Sequence, residues 1–135
     1  MLRNSKGFTL VELIIVIVFL GLLAACLMPP YFKMRDAAKE GVTKGNMHTL
    51  QLAVEDFAAD HDGVYPTAVD AQAVIALLPG GVSPTNPFTS APSNIVWGGL
   101  PAMPGDLGYE IPAMNQYNIA AFGAKKLLAL KLSNY

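Results

Sequence analysis

The chain has 135 residues, with nine basic and ten acidic side chains and a formal charge of −1. That length allows one domain with or without a membrane segment, and the near-neutral balance excludes the basic signature of a nucleic-acid binder. A single cysteine excludes an internal disulfide in an isolated subunit. The mean hydropathy is positive, but the excess lies near the N-terminus, and the rest reads as ordinary soluble sequence.

Residues 1–7 are short and polar, carry Arg3 and Lys6, and read as a processing segment rather than structure. Phe8 to Met28 is an apolar run whose only ionisable side chains are Glu12 and Cys26. A bilayer-spanning helix needs roughly 20 such residues. A carboxylate inside one costs about 2.5 to 3.5 kcal/mol near the centre and calls for a partner. A cut between Gly7 and Phe8 would create an α-amino group about 6 Å from Glu12 along a helix. A neighbouring helix shifted along its axis would then offer its amine to this carboxylate. Gly21, Pro29 and Pro30 weaken the helix, because glycine adds backbone entropy and each proline removes a donor; bending or local melting is expected between Gly21 and Pro29.

From Tyr31 to about residue 60 the helical pattern resumes. Met47, Leu50, Val54 and Phe57, with Ala53 and Ala58, form a stripe able to bury one side, while Gln51, Glu55 and Asp56 face elsewhere. Lys33 to Lys44 is a charged neck with little apolar surface, expected to be covered by neighbouring molecules. Asp62-Gly63 stops the helix. A short helix follows over about 68–78, with Val69, Ile75, Leu77 and Leu78 as candidates for burial. Six prolines and five glycines between Pro79 and Asp106 predict an irregular loop pinned by Trp97. Alternation then predicts three short antiparallel strands, about 107–111, 117–122 and 127–132, packed by one face on the helix stripe.

Catalytic constellations are absent from the pattern. His48 and His61 lack zinc-ligand spacing, and His48 reads as a solvated helix residue. Asp60-His61-Asp62-Gly63 resembles the start of a calcium loop but lacks the remaining ligands and closing glutamate. No nucleophile elbow surrounds a serine. Leu23-Ala24-Ala25-Cys26 resembles a lipobox, which would give a lipoprotein acylated at Cys26; the plainer reading of Cys26 is a small apolar residue in a helix interface.

Gly7-Phe8-Thr9-Leu10-Val11-Glu12, between Lys6 and the run Leu13 to Val18, resembles the class III signal of type IV pilins and pseudopilins. The resemblance implies an α+β pilin fold with a long kinked N-terminal helix over about 8–61. The implied organisation is a leader over 1–7, a transmembrane and assembly helix over 8–30, and a neck helix and globular head over 31–135. It implies cleavage between Gly7 and Phe8 by a prepilin peptidase, N-methylation of Phe8, and subunit docking through Glu12 and Phe8. Gly21 and Pro29 match the positions that bracket a segment unwinding in the filament, with Pro30 as an addition. The implied partners are copies of the same chain in a helical homopolymer, an inner-membrane assembly platform, and membrane lipid before assembly. Lys33, Arg35, Lys39 and Lys44 leave the membrane orientation open to residue counting; the resemblance implies the N-terminus inside. It places the chain in the bacterial inner membrane and then in an extracellular pilus or periplasmic pseudopilus. Gly63 to Thr67, Leu78 to Gly81 and Asn86 to Thr89 resemble major pseudopilins of type II secretion. That group also implies calcium near Asp106 and Glu110, although no cofactor is required by the residues themselves.

Overall fold

The computed structural model describes residues 7 to 134, so the leader residues before Gly7 lie outside the described part. Two compact units are present, Met1–Arg35 and Asp36–Tyr135. The first helix, α1, spans Leu10–Asp60. It starts two residues later than the apolar run because Thr9 occupies the cap position before it. Helix Ala71–Leu77, α2, is preceded by a 3-10 turn at Ala68–Asp70. Four strands follow: β1 Ile95–Trp97, β2 Leu107–Glu110, β3 Asn118–Ala121 and β4 Leu132–Ser133. The architecture is α+β and pilin-like.

In the first unit the helix carries its apolar side chains outward, from Leu10 through Met28, all exposed. Nothing in the unit is large enough to cover them. In the second unit the expected stripe is the centre of the core. Met47, Leu50 and Val54 are fully buried, and Phe57 and Ala53 nearly so, against Leu107, Tyr109, Tyr117, Ile119 and Leu128, with Ala58 also buried. Spacings of three and four place these residues on one side of the helix. Burial of each large apolar side chain contributes about 1.5 to 3 kcal/mol. The helix ends as the sequence indicates: Asp62 and Gly63 both adopt left-handed backbone, φ 54° and 79°. The Gly63 N–H donates to the Ala58 carbonyl at 2.8 Å, which satisfies an orphan carbonyl of the last turn.

Three expectations need correction. Of the four residues expected to be buried around α2, Leu78 is buried and Ile75 is partly buried against the core, whereas Val69 is 91 % and Leu77 40 % exposed; Val74, not expected, is fully buried. Val74 and Leu78 are four residues apart and share the inward face of α2. The sheet is four-stranded in the order β1-β2-β3-β4, and β1 pairs parallel to β2, with Ile95 opposite Leu107. The expected all-antiparallel set omitted this strand, which lies in the proline- and glycine-rich stretch, because three residues are too few to show alternation. The expected strand over 127–132 is reduced to β4 and an isolated bridge between Phe122 and Leu127. Two extra residues interrupt the ladder between them, and an even slip leaves Leu128 and Leu132 on the same side.

The neck also differs from expectation, since one side of it is fastened to its own head. Thr43 is fully buried, the Asn46 amide donates to the Thr85 carbonyl at 2.9 Å, and Glu40 Oε1 accepts from the Ala124 N–H at 3.0 Å. Lys39 Nζ sits 5.2 Å from the centroid of the Phe88 ring. Trp97 packs on Tyr109 with ring centroids 5.1 Å apart. The loop it was expected to pin is also held by the buried Asn86, whose amide donates to the Pro104 carbonyl at 2.8 Å.

Candidate functional site

Gly7, Phe8 and Thr9 precede the helix and are exposed, with Phe8 at 72 %. The Gly7–Phe8 bond is therefore outside regular structure, in a form that a peptidase cleft can take. Thr9 and Glu12 bind each other reciprocally. The Glu12 carboxylate accepts from the Thr9 N–H at 2.9 Å and from the Thr9 hydroxyl at 2.7 Å, while the Glu12 N–H donates to Thr9 Oγ1 at 3.2 Å. This is a capping box, which satisfies donors that a helix start leaves free. The sequence reading missed it, although the pattern Thr9-x-x-Glu12 is its signature. Within the chain, Glu12 is thus paired with Thr9 at the helix start.

Gly21, Pro29 and Pro30 all lie inside α1, which is continuous across them. The two prolines supply no N–H, so the carbonyls of Ala25 and Cys26 lose their ordinary helical donors. α1 is long and apolar enough to cross a membrane. Cys26 is free and exposed.

His48 is exposed on the helix. His61 stacks on Phe57 with centroids 3.9 Å apart, and its Nδ1 lies 2.8 Å from the Phe57 carbonyl. Among the described residues no group of three or more His, Cys, Asp or Glu side chains is placed to hold a metal. The Asp106 Oδ1 accepts from the Asn94 N–H at 3.2 Å and from the Asn86 amide at 3.4 Å. The polar network of the head joins helix to sheet: the Tyr117 hydroxyl donates to Glu55 Oε1 at 2.5 Å and accepts from the Gln51 amide at 3.0 Å. The Tyr65 hydroxyl donates to the other Glu55 oxygen at 3.2 Å. Gln51 and Glu55 therefore serve the sheet edge rather than solvent alone.

The model of the prokaryotic N-terminal methylation motif matches residues 2–25. Beyond the motif, the chain is 32 % identical over 84 residues to the type II secretion system core protein G of Pseudomonas aeruginosa, covering 62 % of this chain and 59 % of that one. It is 30 % identical over 69 residues to the competence protein ComGC of Bacillus subtilis, covering 51 % of this chain and 70 % of the relative. The chain belongs to the type IV pilin and pseudopilin family. A third relative, the type IV major pilin protein PilA of Myxococcus xanthus, is 36 % identical over 59 residues, 44 % of this chain and 27 % of that protein. The chain thus spans less than two thirds of the secretion and pilus relatives just named. No solved structure matches it.

As a pilin-family chain it is related to pilus, secretion and competence components, none of them named as an enzyme. The methylation motif ends one residue before Cys26, and no relative supports acylation there. The apolar first unit fits a membrane anchor that later enters a filament.

Proposed function

We propose that the chain is a non-enzymatic structural subunit of a type IV pilus-like filament, cleaved between Gly7 and Phe8 by a prepilin peptidase and methylated at Phe8. Before assembly Phe8 to Met28 holds it in the bacterial inner membrane, where an assembly platform extracts it. The observation that carries this reading is the combination of an exposed apolar helix surface with one carboxylate at its start. Burial of that surface among copies drives polymerisation. In the uncleaved chain Thr9 occupies the Glu12 carboxylate. After cleavage the Phe8 amine of a neighbouring copy brings an opposite charge, and a charge-assisted bond is roughly twice as strong as a neutral one.

Intact mass of the mature chain tests processing: the expected species lacks residues 1–7 and carries one added methyl, and an acylated chain beginning at Cys26 would overturn the proposal. The Glu12→Ala variant is expected to insert and be cleaved normally while yielding at least tenfold fewer sheared filaments. Wild-type yield from that variant would remove Glu12 from docking.

A second reading, a major-pseudopilin-like component of a type II secretion system, draws on the Pseudomonas relative, whose match extends well past the methylation motif. Electron microscopy of sheared surface material separates the two, since long surface fibres support the pilus and their absence with loss of protein export in a deletion supports the pseudopilus.

A further inference from the structure

The side of α1 opposite the core stays uncovered beyond the membrane run. There Ala37, Gly41 and Gly45 lie exposed at four-residue steps, which places them in one row along the helix. A methyl group built on Gly41 or Gly45 would meet nothing within 4 Å. The chain's own packing therefore gives no reason for two helix-weakening glycines. Further along the helix, Leu52, 71 % exposed, and Leu77 line an open groove of about 520 Å³ between α1 and α2, with Glu55 and Asp56 at its rim. Among the described residues Asp56 has no hydrogen-bond or ionic partner.

Charge along this region is segregated. From Lys33 to Lys44 there are four basic and two acidic side chains, and from Glu55 to Asp70 there are five carboxylates and no Lys or Arg. The last turn of α1 carries no basic residue, so the acidic end is not compensated where the helix dipole would favour a cation.

We propose that the groove receives the neck helix, residues 33 to 45, of a second copy of this chain, with the row of Ala37, Gly41 and Gly45 seated over Leu52 and Leu77 and Lys44 facing the Glu55 and Asp56 rim. The inference rests on the filament reading above and adds an interface outside the membrane run. Charge complementarity selects the occupant: the neck is the basic, small-surfaced helix the acidic groove fits. On that reading all copies enter one membrane in the same orientation and their necks are parallel. Like-charged ends then lie side by side at zero offset, and opposite ends meet only when one copy is displaced along the axis. Such a contact joins two different surfaces, so it propagates as an open series instead of closing on itself.

The test uses the full-length chain in cells, with Cys26→Ser to remove the native thiol and Gly45→Cys with Leu52→Cys on the same chain. Seven helical residues separate these positions by about 10 Å along the axis, too far for a disulfide within one chain. Mild oxidation is expected to give a ladder of covalent multimers. Adding Lys44→Glu should reduce it at least tenfold, and Lys44→Glu with Asp56→Lys should restore it to within threefold. Filaments without a ladder would overturn the docking and leave the filament reading standing; a ladder without filaments would do the reverse; absence of both would remove both. A ladder indifferent to Lys44→Glu also overturns it, and reduced pelleting of that variant with anionic phospholipid vesicles would then assign Lys44 to a lipid surface.

Discussion

Tyr109 and Tyr117 sit side by side in the core, 6.0 Å between ring centroids, yet their hydroxyls have opposite fates. The Tyr117 hydroxyl donates a hydrogen bond to Glu55 and accepts one from Gln51, whereas the buried Tyr109 hydroxyl has no partner among the described residues. Removing a satisfied hydroxyl forfeits a net bond and strands its partners, about 1 to 3 kcal/mol, while removing an unsatisfied one relieves a desolvation cost. Tyr117→Phe is expected to lower stability by roughly that amount, and Tyr109→Phe to raise it or leave it unchanged. Urea unfolding of the two variants in detergent checks the contrast, and equal losses would refute it. Burial pushes both hydroxyls up, Tyr117 to about 12 with help from its bond to Glu55, and Tyr109 further. The unfolded chain loses these protons near pH 10 and the folded chain later, so the folded state holds more protons above that point. Stability is then complete below pH 10 and falls as pH rises toward 12. The urea midpoint should decline across that window, and Tyr117→Phe should make the decline shallower.

At the scale of elements, the sequence was readable where periodicity was long and opaque where it was short. The stripe Met47, Leu50, Val54 and Phe57 repeats over three turns, so the helix and its inward face could be read from spacing alone. So could Leu107 and Tyr109 in β2, and Tyr117, Ile119 and Ala121 on and beside β3. β1 could not, because Ile95, Val96 and Trp97 pair with a strand twelve positions on, and no local pattern encodes a partner. Gly108 illustrates the same limit. Strict alternation puts Gly108 on the outer face of β2, but it is buried there: a methyl group on it would lie 2.6 Å from the Gly99 carbonyl oxygen and from Pro101. The loop returning from β1 covers that face, which alternation cannot foresee. Gly108→Ala should therefore cost about 1 to 3 kcal/mol, as overpacking does. A change below 0.5 kcal/mol in urea unfolding would show that the loop yields. The candidate site was legible in Gly7, Phe8 and Glu12 through their motif. The tie of Thr9 to Glu12 is equally available in the four-residue pattern Thr9-x-x-Glu12, which a single carboxylate in an apolar run masks by suggesting an intermolecular partner first.

For the whole molecule, the first unit cannot be at rest as an isolated solute, since every large apolar side chain from Leu10 to Met28 is exposed. Membrane lipid and neighbouring helices are the two environments that cover it, and they treat Pro29 and Pro30 differently. In lipid the Ala25 and Cys26 carbonyls, deprived of helical donors, carry the cost of an unmet bond, and each such group is expensive where no water reaches. On the filament reading, the same turn would unwind toward Gly21 and find other donors, so the prolines would favour the assembled form over the straight membrane helix. Replacing both by alanine restores two N–H groups and relieves that cost in the membrane. Pro29→Ala with Pro30→Ala is thus expected to insert and be cleaved normally, to straighten the segment from Gly21, and to shift the helical rise and twist of the filament, measured by reconstruction from electron micrographs. An unchanged lattice would mean that α1 stays continuous through assembly, as it is in the single chain, and that the prolines are tolerated there without directing the packing.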